Sequence, residues 1–439
     1  MVRVDSSDCK QQQQQQQQTT CNCNKILQPP PNAPNTMNTV HKHWKEASTL
    51  ILAAGTKCSS SPSRSWGAAC WNHKVLLLKR STQSRFMPEA YVFPGGMADP
   101  SDFCSEWLGV FHAFRHKPNL GLGVVKQPAE TRPPMFAMDR RELGSPIPGD
   151  VAFRICALRE TFEECGVLLV VPKREGMDVL RSAEHIGDHP PDLPAGLTQV
   201  TDICDRTILT RWRALVNENP SNFIKMCQEL ELMPNIWALH EWGNWLTPTA
   251  RSGNRYDTAF YICCLSDVPF TVQDDKEIVH IKWATPPDVL HSYRAKEMWI
   301  APPQFYELSR LCRYPSLGEL HAFASQRSRE GCEHWLPVVL KTDTELLSLL
   351  PGDELYPETG VSTRTLCDST LLTDPGLGSD GAELESGLLH RLVLQDAYST
   401  SVQISITPKY KHLSPLPVPA PPHPRDPGEL KDDVTTSDL

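Results

Sequence analysis

The chain has 439 residues and a formal net charge of −9, so its charge indicates neither a general nucleic-acid surface nor a membrane-surface role. Hydrophobic residues make up 40% of the sequence, enough for a sizeable core, but no run approaches the roughly 18 apolar residues of a membrane-spanning helix. The 15 cysteines show no zinc-type spacing, and we expect reduced thiols, several of them buried.

The N-terminal part of the chain changes character near residue 37. Residues 1–36 are of low complexity, with a glutamine run at 11–18, and we expect a disordered head. Apolar runs at 47–54 and 74–79 predict two buried strands joined by a turn-rich link. The main domain is therefore predicted to begin at residue 37, and it extends to residue 350.

A basic segment follows the second predicted strand. Arg80 and Arg85 lie between that strand and a glycine pair, Gly95 and Gly96. Arginine carries a planar fork of donors that matches phosphate oxygens, so both arginines are candidate substrate contacts. The alternative is that both are ordinary surface arginines of a hairpin. The glycines would allow a phosphate group to approach the backbone closely.

The most informative stretch is a predicted helix that ends at Gly166. Its apolar stripe consists of Val151, Ile155, Leu158 and Phe162. Asp150 is a candidate N-cap, and Gly166 can adopt the left-handed conformation of a C-terminal cap. Glu160, Glu163 and Glu164 share the other face, with neighbouring side chains about 5–6 Å apart. Carboxylates repel at this distance unless a divalent cation joins them, and the alternative is a solvated acidic face.

The remaining elements are interrupted by two predicted insertions, at about 99–148 and 172–235. The later strands and helices are predicted at 167–171, 207–216, 223–230, 236–246, 255–265, 277–283, 287–293, 303–311 and 317–325. A C-terminal extension at 351–414, with a hairpin at its end, is expected to pack on the domain. A disordered, proline-rich and acidic tail is expected at 415–439. Strands around one crossover helix predict an α/β sandwich.

The helical glutamates resemble part of a known signature. Arg159-Glu-x-x-Glu-Glu-x-Gly166-apolar resembles the second half of the Nudix box, which marks hydrolases of a diphosphate linked to another moiety. In that family a glycine and a further glutamate precede this pattern at fixed spacing. Here Gly95 and Gly96 lie about sixty residues upstream, which indicates that an insertion splits the box, and Val151 stands where the further glutamate is expected. The resemblance implies a Nudix α/β/α sandwich with a mixed sheet.

The segment before the glycines has a resemblance of its own. It is similar to the additional motif of coenzyme A-cleaving Nudix enzymes at Leu76, Leu77, Arg80, Ser81, Arg85 and Phe93 to Gly96. Two positions depart from that motif, because Leu78 replaces a threonine and Glu89 replaces a glycine. Further matching segments extend the resemblance over about residues 40–415.

This resemblance implies a diphosphatase that hydrolyses coenzyme A and acyl-CoA esters to 3′,5′-ADP and (acyl-)4′-phosphopantetheine. It implies Mg²⁺ or Mn²⁺ held by Glu160 and Glu164, with Glu163 as a further ligand. Arg159 belongs to the implied catalytic set because it can orient a carboxylate. Glu277 is a candidate base, and the alternative is an ordinary exposed glutamate at the end of a strand.

Two other functions stay open from the sequence. One is hydrolysis of another nucleoside diphosphate, such as ADP-ribose, a nucleotide sugar or a capped RNA end; the other is a Nudix-shaped binding module without turnover. We expect a small-molecule substrate, no stable nucleic-acid partner and no membrane association. The resemblance implies a peroxisomal location, with cytosol or mitochondrion as alternatives, because Ser437-Asp438-Leu439 carries aspartate where the targeting signal has a basic residue.

Overall fold

A computed structural model describes the chain at residues 44–56, 70–84, 86–175, 205–249, 253–274, 276–342, 344–357, 372–373 and 387–416. The strands are β1 (Lys45–Gly55), β2 (His73–Arg80), β3 (Tyr91–Val92), β4 (Gly95–Met97), β5 (Val170–Pro172), β6 (Leu232–Pro234), β7 (His240–Leu246), β8 (Tyr256–Leu265), β9 (Ile278–Ala284), β10 (His334–Trp335), β11 (Val338–Lys341), β12 (Leu346–Leu349), β13 (Leu372–Thr373), β14 (His390–Asp396) and β15 (Ser399–Ile404). The α-helices are α1 (Trp107–Val110), α2 (Pro134–Ala137), α3 (Gly149–Cys165), α4 (Arg206–Glu218), α5 (Asn222–Glu229), α6 (Pro286–Arg294), α7 (Pro302–Leu311) and α8 (Leu317–Arg327).

The main sheet is mixed. Within the described ranges it contains eight strands in the order β10-β7-β8-β1-β2-β3, with β4 beside β1 and β9 beside β2. The central strand β1 pairs in parallel with β8 and antiparallel with β2 and β4. The predicted α/β architecture with a mixed sheet is confirmed.

Helices cover both faces of this sheet. Because side chains alternate along a strand, Leu50 and Leu52 of β1 face one core, and Ile51 and Ala53 face the other. The predicted apolar stripe of α3 is buried in the first core. Helices α6, α7 and α8 bury their apolar residues in the second. The result is an α/β/α sandwich.

Helix α3 begins one residue before the predicted N-cap. Pro148 is the N-cap, and Asp150 lies inside the first turn, so the assignment of Asp150 as the cap is wrong. The reason is an ion pair: the Asp150 carboxylate lies 2.5 Å from the guanidinium of Arg132, a residue of the first insertion. The C-terminal cap is confirmed, since Gly166 has φ +75° and its N–H donates to the carbonyl of Phe162.

A second, smaller sheet follows the main one. Its described strands run in the order β13-β11-β12-β14-β15, and β14 and β15 form the predicted hairpin. The sheet begins at Val338, ahead of the boundary predicted at residue 350, because β11 and β12 pair with each other and β12 pairs with β14. The sheet is joined to α6 and α7 by hydrogen bonds of Tyr293 to Thr400 (2.8 Å) and Tyr306 to His390 (2.9 Å).

The structure also bears on the first insertion, the cysteines, the chain ends and the expectation of no membrane-spanning helix. Within the first predicted insertion, α1 ends at Val110 and a 3-10 turn, His112–Phe114, follows. Eight described cysteines are buried and form no disulfide, whereas Cys70 is disulfide-bonded, contrary to the expectation of reduced thiols. The predicted head and almost all of the predicted tail lie outside the described residues. None of the helices in the described ranges is long and apolar enough to cross a membrane.

Candidate active site

A cavity of about 830 Å³ opens beside the sheet where β1, β4 and α3 meet. Ligand sites in proteins commonly measure about 300–1,000 Å³, so this cavity can hold a large metabolite. It brings together seven of the residues singled out from the sequence: Arg80, Gly95, Gly96, Arg159, Glu160, Glu163 and Glu277. Glu164 lies directly behind the glycine pair, and Arg85 falls outside the described residues.

The glutamates of α3 lie against the glycine pair. The N–H of Gly95 donates to Oε2 of Glu164 at 2.8 Å, and a Cβ at position 96 would overlap the carboxylate of Glu160. Gly95 has φ +155°, and its α-carbon faces the backbone of β1 at Ser48 and Thr49. A larger side chain at either position would therefore displace a strand or a carboxylate, which explains why two glycines stand here.

The substitution Gly96→Ala is expected to lower kcat by about a hundredfold, because a misplacement of about 1 Å at a reacting centre can cost that much. The new methyl group meets the end of the Glu160 side chain and not a strand backbone, so the unfolding temperature should fall less than in Gly95→Ala. Gly95→Ala is the matched control: its methyl group meets the backbone of β1, and it should lower stability strongly. Steady-state kinetics and thermal unfolding of both variants check this. Normal turnover by Gly96→Ala would contradict the role of Glu160.

Arg159 is the centre of the carboxylate cluster. Its Nη1 donates to Oε1 of both Glu160 and Glu163 at 2.8 Å. Its Nε and Nη2 donate to the two carboxylate oxygens of Asp102 at 2.9 Å, and Nη2 also donates to the carbonyl of Met97. With only 2% of its surface exposed, Arg159 fixes both glutamates from behind. One guanidinium therefore links the carboxylates of Asp102, Glu160 and Glu163.

Asp102 is a site residue that the sequence analysis missed. It lies in the 3-10 turn Pro100–Phe103, immediately after the glycine segment, and it is almost fully buried. Its Oδ2 accepts the N–H of Asp99 at 2.8 Å as part of a capping box. The capping pattern Asp99-Pro100 was a visible signal for the turn, but nothing in the sequence indicated a partner at Arg159. The first insertion therefore supplies part of the site.

The carboxylates are unusually costly to ionise. Desolvation by burial raises the pKa of Glu160, raises that of Glu163 to about 7, and raises that of Glu164 well above its ordinary value. The lowering by Arg159 does not offset this burial at Glu160 and Glu163. The face of α3 that carries Glu160, Glu163 and Glu164 is therefore partly enclosed, and Glu164 is only 4% exposed. A solvated acidic face does not describe these residues.

Arg80 and Glu277 form an ion pair at the cavity. Nη2 of Arg80 lies 2.6 Å from Oε1 of Glu277, and Nε of Arg80 donates to the carbonyl of Phe86 at 3.0 Å. Glu277 precedes β9, and its negative charge contributes to the raised pKa values of Glu160 and Glu164. Glu277 lines the same cavity as Glu160 and Glu163, although half of its side chain is exposed.

Two protein-family models match this chain. A family model described as the NUDT19 Nudix domain matches residues 44–311, which is more than half of the chain. The chain belongs to the NUDT19 family of Nudix hydrolases. A second model, the NUDT19 C-terminal domain, matches residues 339–405. This range agrees with a second sheet that begins at Val338.

Similar proteins cover nearly the same length. A relative from Xenopus laevis, named acyl-coenzyme A diphosphatase NUDT19, is 46% identical over 396 residues, covering 87% of this chain and 98% of its own. A relative of the same name from Homo sapiens is 36% identical and covers 85% of this chain and 94% of its own. A crystal structure of a Nudix hydrolase from Alicyclobacillus acidocaldarius is 21% identical, with a TM-score of 0.41, covering 64% of this chain and 96% of that one.

Nudix hydrolases generally need a divalent metal ion. No three His, Cys, Asp or Glu side chains of the described residues are arranged to hold one as they stand. The contacts give the reason: Arg159 lies between Glu160 and Glu163, and Glu164 faces the N–H of Gly95. The chemistry of the donor set nevertheless fits a hard cation, because a bound cation would offset the cost of ionising three buried carboxylates. The roles of Glu160, Glu163 and Glu164 as metal ligands stay predictions.

Proposed function

We propose that this protein is a metal-dependent diphosphatase that hydrolyses coenzyme A and acyl-CoA esters to 3′,5′-ADP and (acyl-)4′-phosphopantetheine. One observation carries the proposal: a single cavity is lined by Glu160 and Glu163, the glycine pair and Arg80, and Glu164 lies directly behind the glycines. The relatives named acyl-coenzyme A diphosphatase support the substrate class, at 36% to 46% identity over most of the chain.

Each group has a distinct task in this proposal. Glu160 and Glu164, with Glu163, would hold Mg²⁺ or Mn²⁺, and such an ion neutralises a diphosphate and lowers the pKa of a bound water. The glycine pair lets the carboxylates of Glu160 and Glu164 lie against β4, and the diphosphate would bind beside them. Arg159 keeps the carboxylates oriented before substrate arrives, so little reorganisation is needed during reaction. Glu277 remains the candidate base, because it lines the same cavity as Glu160 and Glu163.

Cation binding should stabilise the protein more at high pH than at low pH. The pKa of Glu163 is raised to about 7, so at about pH 6 a proton competes with the cation, whereas at about pH 8 it does not. A cation at about 100 times its dissociation constant should add about 2.7 kcal/mol of stability at the higher pH. Thermal unfolding with Mg²⁺ and with a chelator measures this. Glu163→Gln should reduce the pH dependence, and an equal cation effect at both pH values would contradict the assignment.

Removal of the Arg80 side chain tests whether the substrate is coenzyme A, because Arg80 is proposed to contact the 3′-phosphate of that substrate. We expect Arg80→Ala to lower kcat/KM for coenzyme A by about 10–100-fold, since a hydrogen bond to a charged group contributes about 1.5–3 kcal/mol. Dephospho-coenzyme A, which lacks the 3′-phosphate, serves as the matched substrate and should be affected much less. The comparison is made by steady-state kinetics with both substrates. An equal loss on both, or faster cleavage of ADP-ribose or a nucleotide sugar by the natural protein, would contradict the proposal.

A further inference from the structure

The cavity extends from the glutamates to the second sheet. Part of its lining, which we call the apolar arm, consists of Trp245, Phe260, Ile300, Val339, Leu346 and Leu394. Three of these residues come from the main domain and three from β11, β12 and β14. One cavity is therefore shared by the catalytic domain and the C-terminal sheet.

Strand register explains why the second sheet presents apolar side chains to the cavity. Val339 is paired with Ser348, and Leu346 is paired with Leu394, so these four side chains lie on one face. Neighbouring residues of the same strands turn the other way, and Leu347, Leu349 and Val393 form a separate small core with Val338 packed against it. The three residues that the second sheet contributes to the apolar arm therefore lie on one face of that sheet.

The arm also contains a polar atom without a protein partner. Gln304, on α7, lines the cavity and is 8% exposed. Its side-chain oxygen is buried and accepts no hydrogen bond from the residues that the structure describes. The hydroxyl of Thr400, which lines the same cavity, is already hydrogen-bonded to Tyr293. A buried acceptor without a donor is costly, so an occupant of this space should be apolar and should carry an N–H group.

We propose that the apolar arm binds the acyl chain of the substrate and that Gln304 accepts a hydrogen bond from an amide N–H of its pantetheine portion. This inference rests on the proposed function, because the same cavity is lined by Glu160, Glu163 and the glycine pair. Acylated pantetheine matches the arm chemically: a long apolar chain joined to a segment with two amides. The C-terminal sheet then sets the acyl preference, since each buried methylene strengthens binding about fourfold.

The test measures binding without turnover. The full-length chain, with a chelator present, is titrated with coenzyme A and with dodecanoyl-coenzyme A, and the fluorescence of the tryptophans that line the cavity, Trp245 and Trp299, reports binding. We expect dodecanoyl-coenzyme A to bind at least tenfold tighter than coenzyme A. Val339→Phe, which fills the arm, should remove most of this difference. Val338→Phe, one residue away on the opposite face, should leave the difference within about twofold.

Two further variants keep the test decisive if Val339→Phe folds poorly. Leu394→Ala enlarges the arm and should weaken dodecanoyl-coenzyme A binding, with coenzyme A unaffected. Gln304→Leu should weaken both ligands about 2- to 10-fold, because both contain the amides. Equal affinities for the two ligands, or an acyl preference unchanged by both arm variants, would overturn the inference. Absence of cleavage when Mg²⁺ is restored would instead count against the proposed function, so the two failures can be told apart.

Discussion

Glu164→Gln is expected to lower kcat for coenzyme A hydrolysis by about 10²–10⁴-fold while the protein remains folded. Glutamine has the shape of glutamate and keeps an oxygen that can accept the N–H of Gly95, so the contact between α3 and β4 is retained. The substitution removes the negative charge of the carboxylate, which is proposed to bind the cation. Turnover is measured with saturating Mg²⁺ and coenzyme A.

The unfolding temperature of Glu164→Gln shows whether activity is lost through the missing charge or through a damaged fold. Burial raises the pKa of Glu164 well above its ordinary value, so the ionised carboxylate is costly in the absence of metal. Without metal, the neutral glutamine should therefore leave the unfolding temperature unchanged or raise it. Glu229→Gln, at the exposed end of α5, is the control and should alter neither activity nor stability. Full turnover by Glu164→Gln would remove the central role of this residue.

Arg159→Met should both inactivate and destabilise the protein, by about 3–5 kcal/mol, because it leaves a buried charge without its partner. The uncompensated group is Asp102, which is 1% exposed and accepts one hydrogen bond from the guanidinium on each carboxylate oxygen. Glu160 and Glu163 lose their shared donor at the same time. Urea unfolding and steady-state kinetics measure the two effects.

A second change separates these two effects. Combining Arg159→Met with Asp102→Leu removes both charges, and it should recover much of the stability but none of the activity. Arg141→Met is the control, because Arg141 pairs with Asp139 at the surface, where an ion pair contributes little. If Arg159→Met were as stable and as active as Arg141→Met, Arg159 would not organise the site.

The main elements of the fold could be predicted because their signals are local. The apolar stripe of α3 and its stop at Gly166 follow from helical spacing and a left-handed cap. The strands near 47–54 and 255–265 were visible as apolar runs, and they pair in parallel as β1 and β8. The proximity of the α3 glutamates to Gly95 and Gly96 followed only from the family resemblance, since about sixty residues separate them in the chain.

The rest depends on contacts between distant residues. The ion pair of Arg159 with Asp102 joins residues 57 positions apart, and the pair of Asp150 with Arg132 overrides a local capping preference. Burial of Glu164 was missed because helical periodicity gives its angular position and not the depth of its neighbours. The apolar arm requires the register of the second sheet, which no local pattern around Val339 indicated.

The most direct test of the central claim is to identify, by mass, the products formed from coenzyme A by the full-length protein with Mg²⁺. The account predicts 3′,5′-ADP and 4′-phosphopantetheine in equal amounts, with no product when a chelator is present. Unchanged coenzyme A, or products from cleavage at any bond other than the diphosphate, would contradict it.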